Sequence, residues 1–232
     1  MNSLVRVIAT DIDGTLTDGS RILHPPILST IREVSNNVPV ILATGNSLCF
    51  TLSAAILLGT AGKVVAENGA VVSHALYSEH EVFGDKERCL RAVEELKKHI
   101  KEPITLLDST FRMGEVALMR NFSLERAKNI LEKIDSGLEF VDTGFAIHVK
   151  LKGITKATGL QKILEKVDIS LDDVAAVGDS MNDIPMLEAC GIALSPANAA
   201  AEVKEVCDYV SQKSSGEGFI DCIDWLRRQG EI

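Results

Sequence analysis

Short apolar, β-branched runs alternate with longer stretches whose apolar positions recur every three or four residues, the periods of buried strands and of one-sided helices. Residues 4–9 form the first run, which stops at the polar turn Thr10-Asp11-Ile12-Asp13-Gly14. Pro25-Pro26 then opens a predicted helix with Ile27, Leu28, Ile31 and Val34 on one face. Residues 38–43 predict a second buried strand, ended by Thr44-Gly45-Asn46. Asn46 or Ser47 is placed to cap a helix running to about Gly59, and residues 64–66 predict a third strand, broken by Glu67-Asn68-Gly69. Short buried strands separated by helices predict a parallel sheet with helices on both faces.

The texture then changes. Residues 70–77 predict a strand folded back through the Asn-Gly turn. Residues 85–101 predict a strongly charged helix with an apolar stripe at Cys89, Leu90, Val93, Leu96 and Ile100. Residues 115–119, 140–141 and 145–149 predict strands, and residues 123–134 a helix. The first texture returns with a helix over 155–167, a strand at 174–177 ending in Gly178-Asp179 and a helix after Asn182. Short strands at 192–194 and 209–210 and a last helix over 219–228 complete the chain. The expectation is an α/β protein. Its Rossmann-like core, residues 1–81 and 154–232, is interrupted by an inserted α+β domain at 82–153.

Composition narrows the partners. The 232 residues carry 24 basic and 33 acidic side chains, a formal charge of −9. That balance argues against nucleic acid and against an anionic membrane surface, both of which call for clustered Lys and Arg. The longest apolar run near residues 54–58 is far too short to span a bilayer. Asp11 arrives before a signal-peptide core could form, so a cytoplasmic location is expected. The five cysteines (49, 89, 190, 207 and 222) include no Cys-x-x-Cys pair and read as reduced, mostly buried thiols. A homodimer is compatible with the sequence, which does not fix the oligomeric state.

Candidate chemistry concentrates at the ends of predicted core strands, where ligands bind in open α/β sheets. In Asp11-Ile12-Asp13-Gly14, two carboxylates two residues apart can face one cavity, and Gly14 permits a sharp exit from the strand. Gly178-Asp179-Ser180-Met181-Asn182-Asp183 places two more carboxylates across a strand-to-helix turn. Each motif alone could be a turn or a cap. Together they predict a shared Mg²⁺ site, because magnesium favours a few carboxylates plus a substrate phosphate. Thr44, Gly45 and Asn46 offer a hydroxyl and backbone N–H groups to an anion at a helix start. Lys156 also sits at a predicted helix start, where the macrodipole does not favour a cation, so a phosphate-neutralising role is expected.

This order of motifs resembles the four motifs of the haloacid dehalogenase superfamily, and the insert resembles that superfamily's type II cap. The resemblance implies Asp11 as nucleophile, Asp13 as general acid/base, and Thr44 and Lys156 as phosphate ligands. It also implies Mg²⁺ held by Asp11, Asp179, Asp183 and the backbone carbonyl of Asp13. Many type II members have Arg after Thr-Gly, where this chain has Asn46. The short chain, the Thr-Gly-Asn form and the stretch 144–149 are similar to the small archaeal phosphoglycolate phosphatases. They imply hydrolysis of a small phosphorylated metabolite, 2-phosphoglycolate, through an aspartyl-phosphate. A sugar-phosphate phosphatase, a phosphomutase on the same core and a non-catalytic phospholigand sensor remain open. Arg112, Arg120 and Lys150 are candidate carboxylate readers, and His148 is expected to be packed or hydrogen-bonded.

Overall fold

The computed structural model describes residues 5–232. Leu4, where the first strand is predicted to begin, lies outside the described residues. In chain order the elements are β1 (Val7–Thr10), α1 (Ile27–Ser35), β2 (Val40–Ala43), α2 (Leu48–Leu58), β3 (Val64–Ala66), β4 (Val71–Ser73) and β5 (His80–Val82). Next come α3 (Lys86–Leu96), β6 (Leu106–Leu107), β7 (Val116–Leu118), α4 (Leu124–Ile134), β8 (Leu138–Asp142) and β9 (Ile147–Leu151). The chain closes with α5 (Lys156–Glu165), β10 (Val174–Val177), α6 (Ile184–Ala189), β11 (Ile192–Ser195), α7 (Ala201–Glu205), β12 (Tyr209–Val210) and α8 (Ser215–Gln229).

Eight strands form one sheet in the order β12-β11-β10-β1-β2-β3-β4-β5. The six from β12 to β3 are parallel; β4 and β5 add antiparallel at one edge. Both faces are covered. Ile8, Val40, Leu42, Val64 and Val177 pack towards α1, α2 and α8, and their alternating neighbours Val7, Ile41, Val65 and Val174 towards α5, α6 and α7. Each such fully buried aliphatic side chain contributes roughly 1.5–3 kcal/mol of transfer free energy, which is why the strands read as unbroken apolar runs.

The chain winds outward from β1 through β2 to β3 on one side and from β10 through β11 to β12 on the other. β1 and β10 therefore flank the switch point, the crevice where α/β sheets take ligands. Their register pairs Thr10 with Val177, so the Asp11 and Asp179 turns leave the sheet side by side.

A second, antiparallel sheet, ordered β6-β7-β9-β8, is built from residues 106–151. Val116, Leu118, Ile147 and Val149 face α3 and α4 and close a separate core with Val93, Leu96 and Leu131. The alternate positions Ala117 and His148, paired across β7 and β9, line a cavity shared with the first sheet's carboxyl edge. The charged helix is shorter than predicted, Lys86–Leu96, with the Asp85 side chain capping Arg88 N–H. The last helix starts earlier, at Ser215, and β5, β6 and α7 lie in segments where no element is predicted. Among the described residues no helix is long and apolar enough to cross a membrane. All five cysteines are free; Cys89 and Cys222 are buried, whereas Cys49 is exposed.

Candidate active site

Asp11 is the first residue past β1, and its N–H donates to the Val177 carbonyl at 3.0 Å, which locks the two turns together. Its Oδ1 accepts from Lys156 Nζ at 2.6 Å, and Asp183 Oδ1 accepts from the same Nζ at 2.6 Å. Lys156 stands in the first turn of α5 and is only 1 % exposed. A buried ammonium is costly unless paired, and these two carboxylates pair it. The other Asp183 oxygen accepts the N–H groups of Asp179 and Ser180, both at 3.0 Å, so Asp183 fixes the loop while holding the lysine. Asp179 accepts from the Thr15 hydroxyl at 3.1 Å and from Asn198 Nδ2 at 3.3 Å. Gly14 passes close by: φ is +88°, and a Cβ there would meet Asp179 Oδ2 at 2.3 Å. This position therefore requires glycine for both conformation and space.

The electrostatics are unbalanced. Ligand oxygens of Asp11, Asp179 and Asp183 lie within 4.8 Å of one another, with one lysine among them. Burial pushes Asp11 well above the usual carboxylate range; Lys156 pulls it down, while Asp183 and Asp179 push it up again. Burial, and then Asp183, push Asp179 up to about 7. Burial alone would lower the Lys156 pKa, but Asp11 and Asp183 outweigh it and keep the ammonium charged. Three converging carboxylates with uncompensated charge form a donor set that fits a hard divalent cation.

Asp13 turns elsewhere. Its Oδ1 accepts from Arg21 Nε at 2.8 Å, and its Oδ2 accepts from Arg21 Nη2 at 3.2 Å and Asn46 Nδ2 at 2.6 Å. Its side chain is not part of the aspartate cluster. Thr44 Oγ1 accepts from the Asn46 backbone at 3.2 Å and from Asn46 Nδ2 at 3.0 Å. Ser47 occupies the cap position of α2 without a side-chain capping bond. Asp11, Asp13, Thr44, Gly45 and Asn46 share one cavity, whereas Lys156 and Asp183 are buried and do not line it, Lys156 reaching it only through its bond to Asp11.

The opposite wall comes from the second sheet. Arg112 Nη1 donates to the Gly45 carbonyl at 2.9 Å and to Glu115 Oε1 at 2.6 Å. His148 Nδ1 lies 2.6 Å from the same oxygen, and Asn68 Nδ2 donates to Glu115 Oε2 at 3.0 Å. Burial opposes ionisation of Glu115, but His148 and then Arg112 and Asn68 outweigh it and hold the carboxyl below its usual range. Arg112 and His148 both line the cavity, and Arg112 Nε is buried without a partner among the described residues. Arg120 instead pairs with Asp142 at the surface, and Lys150 is held by Glu139 and the Ile154 carbonyl. Glu67 clamps the joint between the sheets by accepting N–H bonds from Met113 and Gly114 at 3.0 and 2.9 Å. Arg21 and Glu115 had no recognisable signal in the sequence: Arg21 bonds partners 8 and 25 residues away, and Glu115 meets partners 33 and 47 residues away.

A switch-point aspartate cluster under a second sheet that walls off a small polar cavity defines an α/β enzyme acting on a small ligand. Residues 8–115 and 76–223 match the haloacid dehalogenase-like hydrolase family. The chain is 45 % identical to a phosphoglycolate phosphatase of Methanothrix thermoacetophila, over 99 % of this chain and 100 % of that one. It is 42 % identical to a phosphoglycolate phosphatase of Methanosarcina mazei, over 98 % and 99 % of the two chains. The solved structure of Thermoplasma acidophilum 0175 superposes with a TM-score of 0.87 at 26 % identity, covering 99 % of this chain and 100 % of that one. The chain belongs to the haloacid dehalogenase-like hydrolase family, and within it to the phosphatases.

Proposed function

We propose that this enzyme hydrolyses 2-phosphoglycolate to glycolate and phosphate with Mg²⁺, through a phosphoryl group carried on Asp11. The observation that carries the reading is the buried Asp11–Lys156–Asp183 arrangement with Asp179 beside it, opening onto a cavity lined by Thr44, Arg112 and His148. The full-length relatives named for phosphoglycolate support the substrate. In this reading residues 82–153 are a cap domain over a core of residues 1–81 and 154–232.

Asp11, Asp179, Asp183 and the backbone carbonyl of Asp13 would hold the Mg²⁺. When bound, it supplies charge neutralisation to the phosphoryl oxygens and balances the aspartate cluster. Lys156 fixes one Asp11 oxygen, which leaves the other to attack phosphorus. The phosphorus–oxygen bond to Asp11 forms as the bond to the glycolate oxygen breaks. Asp13 gives its proton to the departing alkoxide and then takes one from the water that attacks phosphorus and frees Asp11. Thr44 and the N–H groups at the start of α2 bind phosphoryl oxygens. On the far wall, Arg112 offers a guanidinium to the substrate carboxylate, with His148 beside it and Glu115 fixing both. The second sheet keeps bulk water from the phosphoryl group.

A panel of kcat/KM values under one Mg²⁺ condition tests this reading, comparing phosphoglycolate with sugar phosphates, phosphoglycerates and phosphoserine. Phosphoglycolate is expected to lead. A sugar phosphate preferred tenfold, about 1.4 kcal/mol of transition-state binding, would reject the substrate; no turnover of any ester would reject the phosphatase mechanism.

A further inference from the structure

The turn after the first motif delivers an arginine back onto Asp13. Asp18 organises that turn: its Oδ1 accepts the N–H groups of Ser20 and Ile22 at 2.8 and 3.0 Å, and its carbonyl accepts Arg21 N–H at 2.9 Å. Arg21 sits at φ 63°, a left-handed conformation that costs any residue with a Cβ and calls for a reason. Its side chain supplies one. The guanidinium forks onto both Asp13 oxygens at 2.8 and 3.2 Å and also donates to Asn46 Oδ1 at 2.7 Å. Asn46 in turn donates to Asp13 at 2.6 Å, so each of the three side chains is bonded to the other two. The guanidinium carbon lies 5.6 Å from the Phe50 ring centroid in α2 and 5.7 Å from that of Phe145 in the β8–β9 turn. Both distances are within cation–π range.

We propose that Arg21 is a positioning residue for the acid/base Asp13, and that Phe145 makes this positioning depend on the cap lying over the core. The inference rests on the phosphatase reading above. Asn46, too short and uncharged to act as a cation, orients the arginine arriving from the preceding turn. A carboxylate held by a fork and an amide has one geometry, which suits a group that must meet a leaving oxygen and then a water at the same point. Removing the cap would remove Phe145 from one face of the guanidinium and loosen the fork. Asp13 would then be fully set only when the cavity is covered. Arg21 and Phe145 both line that cavity.

The test uses three esters with Mg²⁺: phosphoglycolate, ethyl phosphate and para-nitrophenyl phosphate. The nitrophenolate leaves without needing a proton, whereas both alkoxides need one. Arg21→Met is expected to lower kcat/KM for the two alkyl esters together, at least about tenfold more than for the aryl ester. Arg21→Lys, which restores charge without the fork, should recover part of the loss, and Phe145→Ala should show the same pattern more weakly. In an Asp13→Asn background, Arg21→Met should add less than about threefold, because residues acting through one group are not additive. Equal losses on all three esters, a loss confined to phosphoglycolate, or a full additional loss beside Asp13→Asn would overturn the proposal. The second of these outcomes would make Arg21 a reader of the substrate carboxylate. A wild-type enzyme that turns over none of the esters would overturn the phosphatase reading, and this inference with it.

Discussion

Lys156 illustrates how one residue's environment decides its role. At a helix start it works against the macrodipole, yet its ammonium is buried between Asp11 and Asp183. The ammonium pairs with two of the three clustered carboxylates, and burial first, then the neighbouring carboxylates, raises the pKa values of Asp11 and Asp179. Asp179, pushed to about 7, and Asp11, shifted the same way, keep protons in the folded protein that the unfolded chain has lost. Their contribution to stability is therefore full below the unfolded carboxylate range and lost as pH rises through about 7. A bound cation replaces those protons. Mg²⁺ should accordingly raise the thermal midpoint more at about pH 8 than at about pH 5. Asp179→Asn should raise the metal-free midpoint at the higher pH and remove most of the Mg²⁺ effect. Scanning calorimetry with and without chelator reads this, and a Mg²⁺ shift equal at both pH values would contradict it. At this scale the contiguous aspartate motifs are legible from sequence because each spans a single strand end. Arg21 is not, because its role needs a left-handed backbone and partners 8 and 25 residues away. Glu115 looks like the start of an ordinary strand until folding brings it to His148, 33 residues on.

Elements carry these residues to one point through close approaches. α5 crosses the β3–β4 turn so tightly that a Cβ on Gly159 would meet Val65 Cγ1 at 2.6 Å and Gly69 Cα at 2.9 Å. Gly69 itself is at φ +100°, and a Cβ there would strike the Thr155 carbonyl at 2.0 Å. This contact sets the height of α5, and so of Lys156, above the sheet. Gly159→Ala should therefore lower kcat by tenfold or more while costing about 1–3 kcal/mol of stability, the usual range for overpacking. Stopped-assay kinetics beside denaturant unfolding check this; an unchanged kcat would show that α5 tolerates displacement. Among elements, the buried parallel strands were readable because unbroken apolar runs leave little choice. β5 was not: His80-Glu81-Val82 is a polar edge strand fixed by pairing with β4, and no periodicity of its own marks it. α7, five residues long, is too short to display a helical stripe.

At the scale of the whole molecule, a chain of net charge −9 binds an anion only if the site reverses that charge locally. With a divalent cation held by the aspartates, the arrangement would do so from two sides. The first sheet brings Lys156 and a donor set for a divalent cation; the second brings Arg112 and His148 to the far wall. Glu67 and Asn68 tie the two sheets together at their joint, through the Met113–Gly114 backbone and through Glu115. The alternation of strand and helix textures made the two-sheet organisation legible. The contacts between the sheets are long-range and leave no local pattern. The account's central claim is that Asp11 takes the phosphoryl group, and rapid-quench mass spectrometry tests it most directly. Enzyme mixed with excess phosphoglycolate and Mg²⁺, then quenched in acid, should carry one phosphoryl group on the peptide containing Asp11, at a level above background only while substrate remains. Asp11→Asn should carry none and lose nearly all turnover. Turnover at the wild-type rate by Asp11→Asn, or a phosphoryl group found on another residue, would contradict the account.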